Sequence, residues 1–430
     1  MTASAEEIHV SLLDMVLCLT RAIDFLHPSI SEHHLRVAYI ASCLAEELGF
    51  DTQQIQDVMI AGALHDLAAV SSPAWTGLFD DALTRDRLSL HRTADEIHRH
   101  GFEGYLMLRD FQPFSQAARV ICFHHIDWDY GIGSECHGEP VPFGSHILRL
   151  ADRVAILPNE TANILDQAAE IRQSIAADSG RLFNPEVVEA FEESTQRESF
   201  WMDLRSRYKE QILRQRFDHS TVRLGLDGLH GLARVFGKII DHRSSFTATH
   251  SSGVAATSEN LAARLGLGLF KRRLIGVAGY LHDIGKLAMP PAILDKPGKL
   301  TQQEMLIIRQ HPYYTHQILS MVPGLETVNT WASLHHERLD GSGYPFRPRK
   351  IPLGARIIAV ADIFTAITEH RPYRRGMSRA ECLAVLDRLV LEKAIDGDIV
   401  AVLRNDFEEL HHIRSLSQQF DAINDAVVEV

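Results

Sequence analysis

The sequence predicts an all-α protein made of two tandem helical bundle domains of one type. Apolar residues recur at positions i, i+3, i+4 and i+7 over long stretches, whereas alternating strand patterns are sparse. The 430 residues exceed one ordinary domain, and an ordered set of histidines and aspartates occurs twice. With 45% hydrophobic and 23% charged residues, the composition is typical of a globular protein and excludes disordered, collagen-like and disulfide-scaffold classes.

The repeat is defined by spacing. In each half a leading histidine precedes a His-Asp dipeptide by 32 residues, and a later histidine precedes a His-His dipeptide by 24 residues. An apolar helix with a late aspartate follows. In the first half these residues are His33, His65, Asp66, His100, His124, His125 and Asp152. In the second half they are His250, His282, Asp283, His311, His335, His336 and Asp362.

The repeat sets the expected domain limits. We predict a first domain over residues 1–205, a connecting helix over 206–219 and a second domain over 220–430. The connection is predicted to be helical because the chain from Phe200 to Phe217 is charged and contains no glycine or proline.

Charge and cysteine content limit the partners. The net charge of −13, from 43 basic and 56 acidic residues, argues against a polyanion-binding surface, so duplex nucleic acid is not expected as a partner. The chain has 24 histidines but only five cysteines, none of them in a Cys-x-x-Cys pair. Metal ligands are therefore expected to be imidazole and carboxylate groups.

The sequence predicts a cytoplasmic protein without a membrane partner. Residues 1–7 include no basic stretch leading into an apolar core, and no later stretch reaches about 18 uninterrupted apolar residues. The irregularly spaced cysteines are expected to be reduced thiols.

The repeated residues suit a pair of metal ions. Imidazole and carboxylate together are compatible with Mn, Fe, Co, Ni or Zn. Neighbouring residues on a helix point about 100° apart, so a His-His pair can serve two adjacent ions more easily than one. An aspartate beside a histidine can bridge the two ions, which is the arrangement of two-metal phosphoester hydrolysis.

Three motifs in the second half carry a family resemblance. They are the His-Asp-Ile-Gly-Lys segment His282–Lys286, the segment His335–Pro345 ending in Gly-Tyr-Pro, and Arg371–Arg374, which reads Arg-Pro-Tyr-Arg. With these motifs, residues 220–430 resemble the HD-GYP family of bacterial second-messenger phosphodiesterases. The resemblance implies a helical bundle with a two- or three-metal centre, often iron or manganese. It implies hydrolysis of cyclic di-GMP or a related 3′,3′-linked dinucleotide such as cyclic GMP-AMP.

The resemblance also implies a role for each matching residue. Asp283 would bridge the metals, and two ions are favoured because Phe246 stands where three-metal members carry a glutamate. Lys286, about one helical turn from His282, would stabilise charge at the scissile phosphate. The implied metal ligands are His250, His282, Asp283, His311, His335, His336 and Asp362.

Substrate contacts are implied beyond the metals. Arg371 and Arg374 offer forked donors to the second phosphate. Tyr344 lies in a glycine-flanked loop that can approach a ligand, and its ring could stack on a guanine.

The first half resembles only the wider HD superfamily. No lysine follows Asp66 at the matching position, no Gly-Tyr-Pro follows His125, and Asn159 stands where the arginine motif would begin. It carries a possible second metal site in its seven repeated residues. Three roles stay open: hydrolysis of a phosphate monoester, regulation, or dimerisation into a homodimer.

The sequence thus predicts a metal-dependent phosphodiesterase that opens a cyclic dinucleotide to a linear one, with further cleavage to mononucleotides possible. One alternative is a cyclic-dinucleotide-binding effector without turnover, which has no need of Lys286 or a full ligand set. Another is a nucleotide phosphohydrolase, which would leave Tyr344, Arg371 and Arg374 without a role.

Overall fold

The computed structural model is helical throughout its described parts, which confirms the all-α prediction. It describes residues 7–24, 32–69, 94–217, 222–243, 249–296, 298–370 and 375–426. Within those ranges each β-strand is only two residues long, and no helix is both long and apolar enough to cross a membrane.

The first part of the chain begins with a short strand and a helix and continues into a bundle. The elements are β1 (Val10–Ser11), α1 (Leu12–Asp24), α2 (His33–Glu47), α3 (Thr52–Leu64), α4 (Ala94–Leu108), α5 (Ser115–Cys122), β2 (Glu135–Cys136), β3 (Glu139–Pro140), α6 (Phe143–Ile156), α7 (Ile164–Ala176), α8 (Pro185–Ser194), α9 (Glu198–Arg205) and α10 (Lys209–Phe217). Short 3₁₀ helices cover Gln112–Phe114 and Asp129–Ser134, and β2 pairs antiparallel with β3.

The second part repeats this helical pattern. Its elements are β4 (Arg223–Leu224), α11 (Leu226–His242), α12 (His250–Arg264), α13 (Leu269–Leu281), a 3₁₀ helix (Ile284–Ala288), α14 (Pro291–Leu294), α15 (Gln302–Ile308), α16 (His311–Leu319), α17 (Glu326–Ser333), α18 (Leu353–Thr368), α19 (Arg379–Leu391), α20 (Gly397–Asn405) and α21 (Phe407–Ala426).

Local sequence explains several helix starts. Asp51 accepts a hydrogen bond from the backbone N–H of Gln54, and the Gln54 side chain accepts from the Asp51 N–H, which is a capping box. Thr301 and Ser378 begin α15 and α19 in the same way. These caps satisfy N–H groups that have no partner within the helix.

The chain divides into two compact units at limits that differ from those expected. One unit comprises Ile23–Val222, and the other comprises Arg223–Val430 together with the segment up to Ala22. The expected limits, residues 1–205 for the first domain, include that early segment in the first domain. It joins the second unit because β1 pairs antiparallel with β4 and because Cys18 on α1 donates to the carbonyl of Ile318 (3.3 Å). The apolar side chains of α1 are largely buried there.

The same close helix contact occurs in both units. A β-carbon added at Gly62 on α3 would lie 2.8 Å from the Cα of Ala38 on α2, and one added at Gly279 on α13 would lie 2.8 Å from the Cα of Ala255 on α12. Glycine therefore lets each helix pair approach backbone to backbone. In each pair, the first helix begins at the leading histidine of the repeat, and the second helix ends directly before the His-Asp dipeptide. The close contact between the two helices therefore helps to bring these repeated residues together.

Candidate metal centres

The second unit gathers all seven of its repeated residues at one place. His250 begins α12, His311 begins α16, and Asp362 lies within α18. The other members directly follow a helix end, namely His282 and Asp283 after α13 and His335 and His336 after α17. We call this group the C-terminal cluster.

Asp283 is the centre of the C-terminal cluster. Its Oδ2 lies 3.2 Å from His282 Nε2, whereas its Oδ1 lies 3.2 Å from His311 Nε2 and 3.9 Å from His335 Nε2. Atoms about 3 Å apart have the spacing of two ligands on one ion with bonds of about 2.1 Å. The two oxygens of Asp283 thus face two different sets of histidines, as a bridging carboxylate does.

A second carboxylate completes one side of the cluster. His250 Nε2 lies 3.1 Å from Asp362 Oδ1, and the other ring nitrogen of His250 lies 3.3 Å from Glu369 Oε2. The sequence analysis did not single out Glu369. It lies just past the end of α18 and orients His250 from behind, as an outer-shell carboxylate does for a ligand histidine.

The ring orientation of three histidines is set by backbone carbonyls. The Nδ1 atoms of His282, His311 and His335 lie 2.6 to 2.7 Å from the carbonyl oxygens three residues earlier, those of Gly279, Ile308 and Ala332. A carbonyl can only accept, so each Nδ1 carries a proton and Nε2 is the ring nitrogen that faces the cluster.

The donor set fits divalent metal ions. The Nε2 of His282 is buried and has no hydrogen-bond partner of normal geometry among the described residues. Ligand atoms of His250, His282 and Asp283 lie within 4.8 Å of one another, and so do those of His311, His335 and His336. Imidazole nitrogens that converge on a buried carboxylate suit a divalent cation. The chain therefore contains histidine and aspartate clusters that could bind metal.

The charges in the cluster support the same conclusion. Burial alone would raise the pKa of Asp283, but His282 and Lys286 lower it well below its usual value. Burial, reinforced by His311, lowers the pKa of His336 to about 3. At neutral pH the carboxylate is therefore ionised and this imidazole is neutral, which are the forms that bind metal.

Lys286 lies beside the bridging carboxylate. Its Nζ lies 2.6 Å from Asp283 Oδ2, and 23% of its side chain is exposed. Burial alone would lower the pKa of Lys286, but Asp283 raises it. The ammonium therefore stays charged where the cluster meets solvent.

Tyr344 covers the other edge of the cluster. Its ring lies on the ring of His336, with centroids 5.0 Å apart and a 37° angle between the planes. The guanidinium of Arg309 lies 4.4 Å from the Tyr344 centroid. Arg309 belongs to no motif of the sequence, because only the fold brings the end of α15 to the Gly-Tyr-Pro loop.

Arg371, Arg374 and Phe246 lie outside the described residues. The two arginine contacts to a phosphate thus stay predictions, as does the two-ion preference that rests on Phe246.

The first unit gathers its seven repeated residues in the same way, and we call them the N-terminal cluster. Asp66 Oδ2 lies 3.1 Å from His65 Nε2, and Asp66 Oδ1 lies 3.3 Å from His100 Nε2 and 3.9 Å from His124 Nε2. His33 Nε2 lies 3.2 Å from Asp152 Oδ1. These four distances differ by at most 0.1 Å from their counterparts in the C-terminal cluster.

The backbone carbonyls also recur in the N-terminal cluster. His65 Nδ1 lies 3.0 Å from the carbonyl of Gly62, and His124 Nδ1 lies 2.6 Å from that of Ile121. His33 is the histidine that reaches the cluster, whereas the Nδ1 of neighbouring His34 lies 3.0 Å from Asp24 Oδ1. The geometry for holding metal is thus present in both units.

The units differ in what surrounds the clusters. Ala69 occupies the position of Lys286, and Gly133 stands where the second half has Tyr344. The N-terminal cluster therefore lacks the lysine and the aromatic ring that border the other.

Comparison with known proteins identifies an HD domain in each half of the chain. Two protein families, each described as HD domain, match residues 30–157 and 234–399. The 3′3′-cGAMP-specific phosphodiesterase 1 of Vibrio cholerae is 30% identical over 424 residues, which cover 95% of this chain and 94% of that protein. The cyclic di-GMP phosphodiesterase response regulator RpfG of Xanthomonas campestris is 39% identical over 153 residues, 35% of this chain and 40% of that protein.

A solved structure is similar over nearly the whole chain. The crystal structure of a cyclic GMP-AMP-specific phosphodiesterase of V. cholerae, V-cGAP3, matches with a TM-score of 0.60 and 26% identity. The match covers 93% of this chain and 98% of that chain. The helical fold is thus shared over nearly the whole length of both chains.

Proposed function

This chain belongs to the HD-GYP family, and from that premise we propose that its second HD domain is a metal-dependent phosphodiesterase that opens the ring of a cyclic dinucleotide. The observation that carries the proposal is the C-terminal cluster with Lys286 and Tyr344 at its edges. The relatives named above act on 3′3′-cGAMP or cyclic di-GMP, which supports the same substrate class here.

The cluster would hold two divalent ions, with the oxygens of Asp283 shared between them. Manganese or iron is expected from the family resemblance, and cobalt, nickel and zinc are compatible with the same nitrogen and oxygen donors. Such ions polarise phosphoryl oxygens and make water a stronger nucleophile at neutral pH.

The protein's own residues orient the substrate and stabilise charge. Lys286 would stabilise the negative charge that develops on phosphorus-bound oxygens. Asp283 and Lys286 form an ion pair that fixes the position of both groups before substrate arrives. Water adds across one P–O bond, so the products are a hydroxyl and a phosphate monoester on one linear dinucleotide.

Tyr344 would contact a base of the substrate. Its ring is held between Arg309 and His336, so one orientation is favoured before binding. Base-aromatic stacking contributes about 1–3 kcal/mol per base and tolerates different bases, so this contact alone does not choose between guanine and adenine. Arg371 and Arg374 would bind the second phosphate.

We assign metal binding to the N-terminal cluster as well. Its four histidine–aspartate distances match those of the C-terminal cluster. Because Ala69 and Gly133 stand at the positions of Lys286 and Tyr344, we do not assign ring opening to it. Dimer formation and a cytoplasmic location stay predictions from the sequence.

Product analysis tests the proposal. The protein, loaded with Mn²⁺ or Fe²⁺, is incubated with 3′3′-cGAMP, cyclic di-GMP and cyclic di-AMP, and the products are separated by chromatography. We expect a linear dinucleotide from at least one of them, and no product with His282→Ala. The matched variant His65→Ala should retain ring opening. If a fully metal-loaded protein opens none of the three rings, the effector alternative replaces the enzyme.

A further inference from the structure

A group of charged side chains borders the N-terminal cluster. Arg36 Nη2 lies 2.6 Å from Glu160 Oε1, and Arg205 Nη1 lies 2.5 Å from Glu160 Oε2. Arg205 Nη2 also donates to the backbone carbonyl of Glu160 (2.9 Å). Two guanidinium groups, one from α2 and one from α9, therefore hold the two oxygens of a single carboxylate.

Helix geometry places this group beside the metal ligands. Arg36 follows His33 by three residues on α2, so the two side chains lie on one face, about one turn apart. Glu160 follows Asp152 by eight residues, beyond the end of α6. The contact of His33 with Asp152 and that of Arg36 with Glu160 thus join the same two segments of chain. Asp152 is 21% exposed and His33 only 4%, so the cluster is accessible on its Asp152 side.

The group carries more positive than negative charge. Lys209, only 1% exposed, places its Nζ 2.7 Å from Glu32 Oε2, and it lies close enough to Arg36 and Arg205 for their charges to lower its pKa further, after burial itself. These three cations face the two carboxylates of Glu32 and Glu160. In addition, the buried Nε of Arg36 has no hydrogen-bond partner among the described residues.

Glu160 can leave this position more easily than the cations can. Its side chain is 60% exposed, compared with 14% for Arg36 and 22% for Arg205. It lies in the connection between α6 and α7, where no helix holds its backbone. An incoming anion could therefore replace its carboxylate without moving the arginines.

We propose that Arg36 and Arg205 bind the terminal phosphate of a phosphate monoester next to the N-terminal cluster, and that Glu160 occupies this place until the phosphate displaces it. The inference deepens the metal-binding role proposed for this domain and rests on it. A monoester phosphate has three terminal oxygens, so two can contact the arginines while the third faces the metal ligands. A diester phosphate has only two such oxygens, so it could not contact both arginines and face the metal ligands at the same time.

The second domain has no arginine at the position that matches Arg36. Arg36 corresponds to Gly253 in the second domain at the spacing of the repeat, 217 residues. The first domain, which has Ala69 at the position of Lys286, thus has a cation, Arg36, at a position where the second domain has a glycine. The two domains are built to recognise different phosphate groups.

Equilibrium dialysis of the Mn²⁺-loaded full chain with radiolabelled inorganic phosphate tests the inference. Arg36→Ala and Arg205→Ala should each weaken the N-terminal phosphate affinity by about 10-fold or more, whereas Glu160→Gln should strengthen it by about 3-fold or more because the competing carboxylate charge is gone. The control Arg197→Ala removes an exposed arginine of the same domain, paired with Glu47, and should leave the affinity unchanged. Adenosine 5′-monophosphate should displace the labelled phosphate, and dimethyl phosphate, a diester, should not.

Affinities that are equal in wild type, Arg36→Ala and Glu160→Gln would overturn the inference, and so would displacement by dimethyl phosphate as efficient as by the monoester. An increase in phosphate affinity in Glu160→Gln cannot result from misfolding. This variant therefore tests the inference even if an arginine variant fails to fold. The assay needs no turnover. Failure of ring opening would therefore contradict only the proposed phosphodiesterase activity, and the phosphate affinities would still decide this inference.

Discussion

At the scale of single residues, both clusters depend on the same bonding pattern. A backbone carbonyl fixes the Nδ1 proton of a histidine, and the opposite nitrogen then faces an aspartate. The pattern holds for His65 and His124 in one unit and for His282 and His335 in the other. Because the carbonyl sets both tautomer and ring angle, the ligand atoms are oriented before any metal binds.

Arg309 should matter for substrate binding but not for metal content. A cation over an aromatic face contributes about 0.5 to 2 kcal/mol, so Arg309→Ala should lower kcat/KM for the preferred cyclic dinucleotide by roughly 2- to 30-fold. Arg309→Lys should lose less, because the positive charge over Tyr344 remains.

Steady-state kinetics would measure kcat/KM of the Arg309 variants, and metal analysis of the same samples would measure their metal content. The exposed Arg388, paired with Glu392 at 4.0 Å, supplies the control Arg388→Ala. An Arg309→Ala enzyme with unaltered kcat/KM would show that the contact with Tyr344 has no role in catalysis.

Metal uptake by the C-terminal cluster should release protons. Burial alone would lower the pKa of His250, but Asp362 and Glu369 raise it to about 10. Without metal, His250 is therefore protonated at pH 7, and binding through Nε2 requires loss of that proton. Affinity should rise by about tenfold per pH unit from pH 6 to 9 for one proton released.

Calorimetric titration of Mn²⁺ into His65→Ala, in buffers of different ionisation enthalpy, isolates the C-terminal cluster and counts the protons. An affinity that does not depend on pH would contradict the protonated state assigned to His250.

At the scale of elements, one glycine contact aligns each pair of ligand-bearing helices. Gly279 lets α13 approach α12 at Ala255, and its carbonyl also holds His282. Gly62 has both roles for α3, α2 and His65. Helix packing and ligand orientation are therefore coupled at a single residue.

A methyl group at either glycine should damage its own cluster only. Gly279→Ala inserts a carbon 2.8 Å from a backbone atom, so we expect a loss of about 1–3 kcal/mol in the free energy of unfolding. Metal content and ring opening should fall with it. The matched Gly62→Ala should lose metal from the N-terminal cluster and retain ring opening. Denaturant unfolding, metal analysis and product chromatography check this, and equal loss of ring opening in the two variants would contradict it.

At the scale of the whole molecule, the chain consists of two units, each with a buried cluster of histidines and aspartates that could bind metal, and the surroundings of the two clusters differ. The C-terminal cluster is bordered by Lys286 and Tyr344, whereas in the first unit Arg36 and Arg205 pair with Glu160, near in sequence to His33 and Asp152. Duplication thus preserved the buried ligands, while the residues around each opening differ.

Removal of metal should destabilise both units. A ligand that binds only the folded state at 100 times its dissociation constant adds about 2.7 kcal/mol of stability. A chelator should therefore lower the melting temperature of the wild-type protein. His282→Ala and His65→Ala should each show a smaller chelator effect, which thermal unfolding with and without Mn²⁺ would measure. A chelator effect of undiminished size in His65→Ala would mean that the N-terminal cluster binds no stabilising ion.

Sequence spacing predicted which residues meet in each cluster, but not their neighbours. The 32- and 24-residue intervals of the repeat are visible without a structure, because ligands must return to one point after fixed lengths of helix. No interval marks Arg309, since its partner Tyr344 is 35 residues away and has no counterpart in the first half. The arginines at Glu160 come from α2 and α9 and from no shared motif. The packing of β1 and α1 with residues of the second unit has no signal in the sequence, because an apolar helix does not specify which core buries it.

The sequence by itself determined the helical class, the duplication, the two sets of ligands and the family. These follow from local periodicity and from motifs in which neighbouring residues act together. The tertiary structure decided that four matched histidine–aspartate distances of the two clusters agree to within 0.1 Å, and which charged side chains lie near each cluster. Those outcomes depend on contacts between side chains far apart in the chain, whose distances are set by helix packing.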